Sequence, residues 1–352
     1  MHFSKSHLVV LTVLAISLLI TFLLSDYVCQ PIEKFETTIY RKLTGKFAQH
    51  FEYDSLGVPF VVYQGNIGKQ YNTVSVAEYA IKLHKKSINQ ADTVFNNCIE
   101  WLIRHSSRLN DSSLIYFNFY DWPGYSMKSP WRSAMNQGRV MQAFLLAYED
   151  TSEDLFLDYA RQSMNALFTE VKDGGVTYID ETGYWFEEYA DDNLPESRVL
   201  NGMIVVLEAL SDFYVLTDDT SAKYLFSEGT KALKSTLHQY DNEGHSNYDV
   251  LGKPASPWYH KFHIAQLEDL YKKTDEPVFE QYRLKWLQYR EPSYLKTLVL
   301  KPRNIGIAAV VTLYFITVMV MAILVSIFMR LGKTLVASRF RSFALSFKKG
   351  DK

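Results

Sequence analysis

Three aromatic clusters hold most of the side chains in this 352-residue sequence that could move a proton. They are Trp185-Phe-Glu-Glu-Tyr189, Ser246-Asn-Tyr248-Asp249 and Trp258-Tyr259-His260-Lys261-Phe262-His263. A phenol with a free pKa of about 10 is a proton donor at neutral pH, and a carboxyl raised by burial is an acceptor. Glu188, Tyr189, Tyr248 and Tyr259 therefore suit two-sided proton transfer at carbon, in which one group removes a proton and another returns one to the opposite face. Such a reaction builds negative charge and needs a cation or donors beside it, for which His260, His263 and Arg139 are candidates. On a helix, Tyr259, His263 and Gln266 would share one face. In a regular strand Glu188 and Tyr189 would point to opposite sides, so both can serve one site only at a bend. Neither a metal nor a nicotinamide is required, and the sequence has no Gly-x-Gly-x-x-Gly and no His-Glu-x-x-His. Two cysteines, Cys29 and Cys98, exclude a Cys-based zinc site.

Each residue also has an ordinary reading. With 24 tyrosines in the chain, a given Tyr is by type a packing residue. Glu187-Glu188 reads as a solvated edge, Asn201-Gly202 as a helix start and Arg139 as an ion-pair partner. The two histidines read as hydrogen-bonding groups rather than a metal pair.

The elements that would position these clusters form a repeat. Asn136-Gln-Gly-Arg139 leads through an apolar helix to Tyr148-Glu-Asp-Thr151, Asn201-Gly-Met leads to Tyr214-Val-Leu-Thr217, and His263-Ile-Ala-Gln leads to Tyr271-Lys-Lys-Thr274. A second helix follows each, from about Leu155, Ala222 and Val278. Helix pairs at such spacing imply stacked α-hairpins, either an open solenoid or a closed α/α toroid, because one hairpin cannot bury its own apolar face. Val171 to Ile179, with its Gly-Gly turn, and Tyr240 to Tyr248 read as β-hairpin inserts. Val58 to Tyr63 reads as a short edge strand.

Leu8–Leu24 and Ile305–Met329 carry no charge and are long enough to span a bilayer. Seven basic residues follow Met329 against one acid, and Lys5 precedes the first run, so both ends are expected in the cytoplasm. The exported part, Asp26 to Arg303, has 38 acidic and 29 basic residues and a net charge of −9, which argues against nucleic-acid binding. The expected organisation is an anchor over 1–25, a short β or irregular segment over 26–74, a helical catalytic domain over 75–303, a second span over 304–329 and a basic tail over 330–352.

From about Ser129 to Tyr289 the sequence resembles the C-terminal catalytic domain of the D-glucuronyl C5-epimerases. The matching residues are Pro130-Trp131-x-Ser-Ala-Met-Asn-Gln-Gly-Arg139, Trp185-x-Glu-Glu-Tyr189, Val199-Leu-Asn-Gly202, Tyr248-Asp249, Tyr259-His260-x-x-His263-Ile-x-Gln-Leu267 and Asp275-Glu-Pro-Val-Phe279. The resemblance implies a mainly helical (α/α) toroid that turns D-glucuronyl into L-iduronyl units of a heparan-like polysaccharide. It places catalysis on Glu188, Tyr189, Tyr248 and Tyr259 and substrate contact on Asn201; Arg139, His260 and His263, taken from the need for a cation, complete the expected substrate-binding set. No cofactor is implied, although relatives bind structural calcium in a β-rich N-terminal region that is here reduced to about 100 residues. A basic residue expected three positions after Tyr248 is Leu251, with Lys253 as the nearest substitute. The expected partners are a uronate-containing polysaccharide and the lipid bilayer, with a homodimer left open. The competing readings are a uronate lyase on the same fold and an inactive glycan-binding membrane protein.

Overall fold

A computed structural model describes residues 5–44, 49–85, 89–300 and 302–347. They fall into two compact units, one made of helix α1 (Lys5–Thr44) and everything after Tyr289, the other of the stretch between. The middle unit opens with an antiparallel sheet of β1 (His50–Tyr53), β2 (Pro59–Val62) and β3 (Lys69–Gln70). Helices α2 (Thr73–His84) and α3 (Asn89–Arg104) come next, then strands β4 (Ser107–Asn110), β5 (Ser113–Ile115), β6 (Phe117–Asn118) and β7 (Trp131–Arg132). The pair α4 (Ala134–Thr151) and α5 (Asp154–Asn165) leads to the hairpin β8 (Thr177–Asp180) and β9 (Gly183–Phe186). The pair α6 (Leu200–Thr217) and α7 (Thr220–Thr236) leads to the hairpin β10 (Asp241–Asn242) and β11 (His245–Ser246), and α8 (Pro257–Thr274) with α9 (Pro277–Leu287) closes the unit. The other unit ends in α10 (Tyr294–Leu300) and α11 (Asn304–Phe347).

The repeat in the sequence is a turn device. Ser152, Asp218 and Asp275 adopt left-handed backbone at the ends of α4, α6 and α8, and each donates its N–H to the carbonyl of Tyr148, Tyr214 or Tyr271. In each repeat the Thr hydroxyl donates to a carbonyl four residues back, at 2.7–2.8 Å, and accepts the N–H of Glu153, Asp219 or Glu276. Tyr-x-x-Thr thus ends one helix and starts the next, through the backbone carbonyl of each tyrosine and the hydroxyl of each threonine. The helices α2, α4, α6 and α8 are neighbours in chain order, and each packs on its own partner α3, α5, α7 or α9. The result is a two-layered array of α-hairpins. Gly138 permits α4 to approach α6 closely, since a Cβ there would lie 3.2 Å from the Val206 Cα. The core between the layers holds fully buried Leu102, Phe144, Phe186, Phe213 and Trp286.

Several expectations from sequence shift. The first β-hairpin forms at Thr177–Phe186, not around Gly174-Gly175. Gly175 instead lies so close to Thr169 that a Cβ would fall 1.9 Å from its carbonyl oxygen, so the glycines serve a close approach rather than a hairpin turn. α6 is a third helix long and apolar enough to cross a membrane, yet 67% of it is buried inside the array, where an all-round apolar helix belongs.

In the other unit α1 and α11 pack antiparallel. The seam joins Ser17, Thr21, Ser25 and Cys29 to Ala309, Leu313 and Thr317, with a Thr21–Thr317 hydroxyl contact at 3.1 Å. The helix α1 does not stop at residue 25. Its polar end stays helical because Asp26, Glu33 and Glu36 accept from Tyr294, Arg303 and Thr312. Similarly α11, which has no proline, runs past Met329 to Phe347. Lys348, Lys349 and Lys352 of the basic tail lie outside the described residues. Cys29 and Cys98 are both free and buried, one in each unit.

Candidate active site

The chain leaves β9 at Phe186, and Glu188 and Tyr189 sit in the bend that follows. Glu187 holds this bend. Its carboxylate is fully buried and accepts from the Ser197 hydroxyl at 2.7 Å, the Arg198 N–H at 2.9 Å and the Tyr189 N–H at 3.2 Å. Its carbonyl receives the Ala134 N–H, which ties the bend to the start of α4. The two adjacent glutamates therefore divide the work. Glu187 is consumed by hydrogen bonds, whereas the Oε2 atom of Glu188 is buried without a partner.

The carboxyl of Glu188 lies against the first turn of α6, where a Cβ on Gly202 would fall 2.3 Å from Oε2 and 2.9 Å from the Glu188 Cβ. Burial pushes Glu188 up to about 8, opposed by the Tyr189 hydroxyl and the Lys253 charge. Tyr189 stacks on Tyr125 with ring centroids 4.3 Å apart. Tyr248 follows β11, and its carbonyl accepts the first N–H of α6 at Leu200. Tyr259 stands in the first turn of α8, whose cap is Ser256 and whose N1 residue is Pro257. Its ring meets that of Tyr248 edge-on at 4.7 Å. Burial first and the Glu188 charge second hold Tyr189, Tyr248 and Tyr259 above the ordinary phenol range. All three stay protonated donors at neutral pH.

Two adjoining cavities receive these groups. A cleft of about 340 Å³ is lined by Tyr189, Tyr248, Tyr259, Tyr125, Trp122 and Lys253, among others. A smaller chamber of about 110 Å³ is lined by Glu188 and by Tyr63, Tyr120, Asn72, Asn136 and Trp131. Tyr189 and Trp122 border both. In the chamber the Tyr120 hydroxyl accepts from Asn72 at 2.7 Å and contacts the Tyr63 hydroxyl at 2.9 Å, while Asn136 Oδ1 has no partner. The segment before the helical array thus supplies part of the wall.

The expected catalytic four come together. Asn201 stands behind them on α6, beside Gly202, with its Oδ1 buried and unpartnered and its carbonyl accepting from Gln266 at 3.2 Å. The basic candidates do not join the cavities. Arg139 is spent on Glu78 at 3.3 Å and Glu208 at 3.8 Å across the inner helices. His260 and His263 lie behind the wall, both with Nδ1 at 2.9 Å from the Ser246 hydroxyl. His260 accepts the Ser246 N–H on Nδ1, so its proton sits on Nε2, which donates to the Trp286 carbonyl. Burial drives His263 down to about 3, so it is neutral and supplies no charge to a phenolate.

His263 should therefore make the fold acid-sensitive. Its folded pKa lies below its unfolded value of about 6.5, so the unfolded chain binds the extra proton and stability falls as pH drops below that point. Urea unfolding between pH 7 and 5 should show a decline of up to about 1.4 kcal/mol per pH unit from this group, and His263→Gln should flatten it. Equal slopes in both proteins would remove His263 as the source.

Tyr125, Trp122, Tyr63 and Asn136 were not legible as site residues. The one available signal was the Trp122-Pro-Gly-Tyr125 turn, whose Pro-Gly punctuation marks a loop that presents aromatic side chains. No cluster of three or more metal-ligating side chains occurs among the described residues.

The family model of the D-glucuronyl C5-epimerase C-terminus matches residues 111–288. A D-glucuronyl C5-epimerase of Caenorhabditis elegans is 28% identical over 178 residues, which cover 45% of this chain but only 29% of the worm enzyme. An uncharacterised protein of Methanocaldococcus jannaschii is 31% identical over 263 residues, 67% of this chain and 84% of its own. Among solved structures, a cellobiose 2-epimerase of Spirochaeta thermophila aligns with a TM-score of 0.47 and 13% identity over 76% of this chain and 68% of its own.

Proposed function

The chain belongs to the D-glucuronyl C5-epimerase C-terminal family, and from that membership and the cleft we propose a membrane-anchored polysaccharide epimerase that converts D-glucuronyl into L-iduronyl units. The observation that carries the reading is the convergence of one unpartnered, raised carboxyl, Glu188, with three protonated phenols around adjoining cavities.

In this scheme Glu188 in its ionised form takes the C5 proton, and the electron pair passes into the uronate carboxylate. Tyr259 then gives its phenolic proton to the opposite face of C5. The site resets when the proton on Glu188 is returned to the Tyr259 phenolate, for which Tyr189 and Tyr248 form a line of mutually interacting hydroxyls. Asn201, whose Oδ1 is buried and unpartnered on α6, supplies a contact to the substrate. No metal, nicotinamide or net redox change enters. A carbon acid and base matched in this way draw on general acid–base catalysis, typically worth a factor of about 10² to 10⁴.

The membrane reading rests on α1 and α11. Both are long and apolar enough to cross a bilayer, and they pack antiparallel, as a two-pass anchor with both ends on the cytoplasmic side requires.

Incubation of the full chain with an oligosaccharide alternating glucuronate and N-acetylglucosamine in heavy water, read by NMR, tests the activity. Iduronate signals and deuterium at C5 are the expected result. A product absorbing as an unsaturated uronate would replace epimerisation by β-elimination, and no change at C5 would defeat both.

A further inference from the structure

We propose that Lys253 is the residue with which this chain recognises the substrate carboxylate and stabilises the charge that develops on it. The proposal rests on the reading of the cleft as a uronate site. Lys253 is the single basic residue lining the 340 Å³ cleft among the described residues. Its ammonium stands 5.0 Å from the ring centroid of Tyr248 and 5.3 Å from that of Tyr125, bracketed by two phenol faces. Most other lysines near the array's charged faces have carboxylates at ion-pair distance, as Lys234 has Glu276 and Lys285 has Asp241. No carboxylate lies within ion-pair distance of the Lys253 ammonium among the described residues. Ring faces attract a cation but accept few of its three N–H donors, so the group keeps donors for an anionic ligand.

The loop that carries Lys253 is built to hold it there. Tyr248 donates its N–H to the Lys253 carbonyl at 2.6 Å, and Gly252, with φ of +83°, makes the return possible. The Lys253 N–H donates to Asp249 Oδ1 at 3.1 Å. The other oxygen of this buried Asp249 accepts the Tyr125 hydroxyl at 2.5 Å. Tyr125 in turn stacks on Tyr189. One loop therefore presents a proton donor, Tyr248, and the cation side by side, at the cleft that Tyr259 also lines. The alternative cations are committed elsewhere: Arg139 is ion-paired on the inner helices, and His263 is neutral behind the wall. A uronate whose C5 has lost its proton carries a second negative charge next to its carboxylate, and a cation held at that point is what such an intermediate needs.

The test compares the full-length wild type, Lys253→Met and Lys253→Arg. Met keeps the length of the stem and removes the charge, and because the side chain is exposed the variant should keep the wild-type thermal midpoint. Two measurements are made. Binding of the glucuronate oligosaccharide and of its carboxyl-reduced, neutral counterpart is followed by calorimetry, and C5 inversion is followed by NMR. The expected result is that wild type prefers the acidic oligosaccharide by about tenfold or more, that Lys253→Met loses this preference and most of its inversion rate, and that Lys253→Arg restores both in large part. Equal preference in wild type and Lys253→Met overturns the role of Lys253 while leaving the epimerase intact. Wild type without preference for the acidic oligosaccharide overturns it also. A preference that depends on Lys253 in a chain that inverts nothing at C5 keeps the recognition site and defeats the epimerase reading instead.

Discussion

Replacing Tyr259 by phenylalanine is expected to leave a folded protein whose C5 inversion has fallen by about a hundredfold or more. The substitution removes one oxygen and almost no volume, and the ring keeps its edge contact with Tyr248. What it removes is, in the proposed mechanism, the donor to one face of C5. Glu188→Gln should cost as much, because it removes the acceptor on the other face while keeping the shape that packs on Gly202. Loss of the two groups should be separable. A chain lacking Tyr259 can still exchange the C5 proton through Glu188 without inverting, so deuterium should enter glucuronate with little iduronate formed. The wild-type kcat/KM should rise with pH through about 8 and level off above it, since Glu188 must be ionised to accept a proton and burial holds it at about 8. The groups that act on this ionisation are Tyr189, Glu187, Glu78 and Lys253, and of these Tyr189 and Lys253 favour the charged form. Tyr214→Phe, at a helix-ending repeat position, should leave the rate near that of wild type. Near wild-type inversion by folded Tyr259→Phe would remove Tyr259 from the chemistry.

The second large effect is expected from Gly202→Ala. A methyl group there collides with both the carboxyl end and the Cβ of Glu188, so the side chain cannot escape by rotating its tip alone. The base must move, and a displacement of about 1 Å at a reacting group can cost on the order of a hundredfold in rate. Stability should fall as well, because overpacking a buried contact costs about 1–3 kcal/mol, at least as much as the roughly 1 kcal/mol by which alanine in a helix is favoured over glycine. The signature is thus a loss of inversion, measured on protein that is still folded, out of proportion to a modest fall in thermal midpoint. A Gly202→Ala protein with normal activity would show that Glu188 has room that the geometry denies it, and one that fails to fold would show that the contact serves packing first.

The periodic features of this protein were legible in one dimension. The helix pairs, their chain order and the Tyr-x-x-Thr turns follow from residue spacing and local hydrogen bonds, which involve neighbours only a few residues apart. The two apolar runs were legible for the same reason, although their helical continuations were not, because α1 persists past residue 25 through acids whose partners stand some 270 residues later. The four residues proposed as catalytic could be named from motifs, but their arrangement could not. Which of two adjacent glutamates is the free one depends on Ser197 and Arg198 closing on Glu187. Which basic residue faces the cleft is settled by partners far away in sequence, which neutralise Arg139, bury His263 and leave Lys253 against two tyrosine rings. Composition and spacing determine what a segment can become. Charge state and access arise only when distant segments remove water from a group or supply its partner, and in this protein the tertiary structure made those decisions.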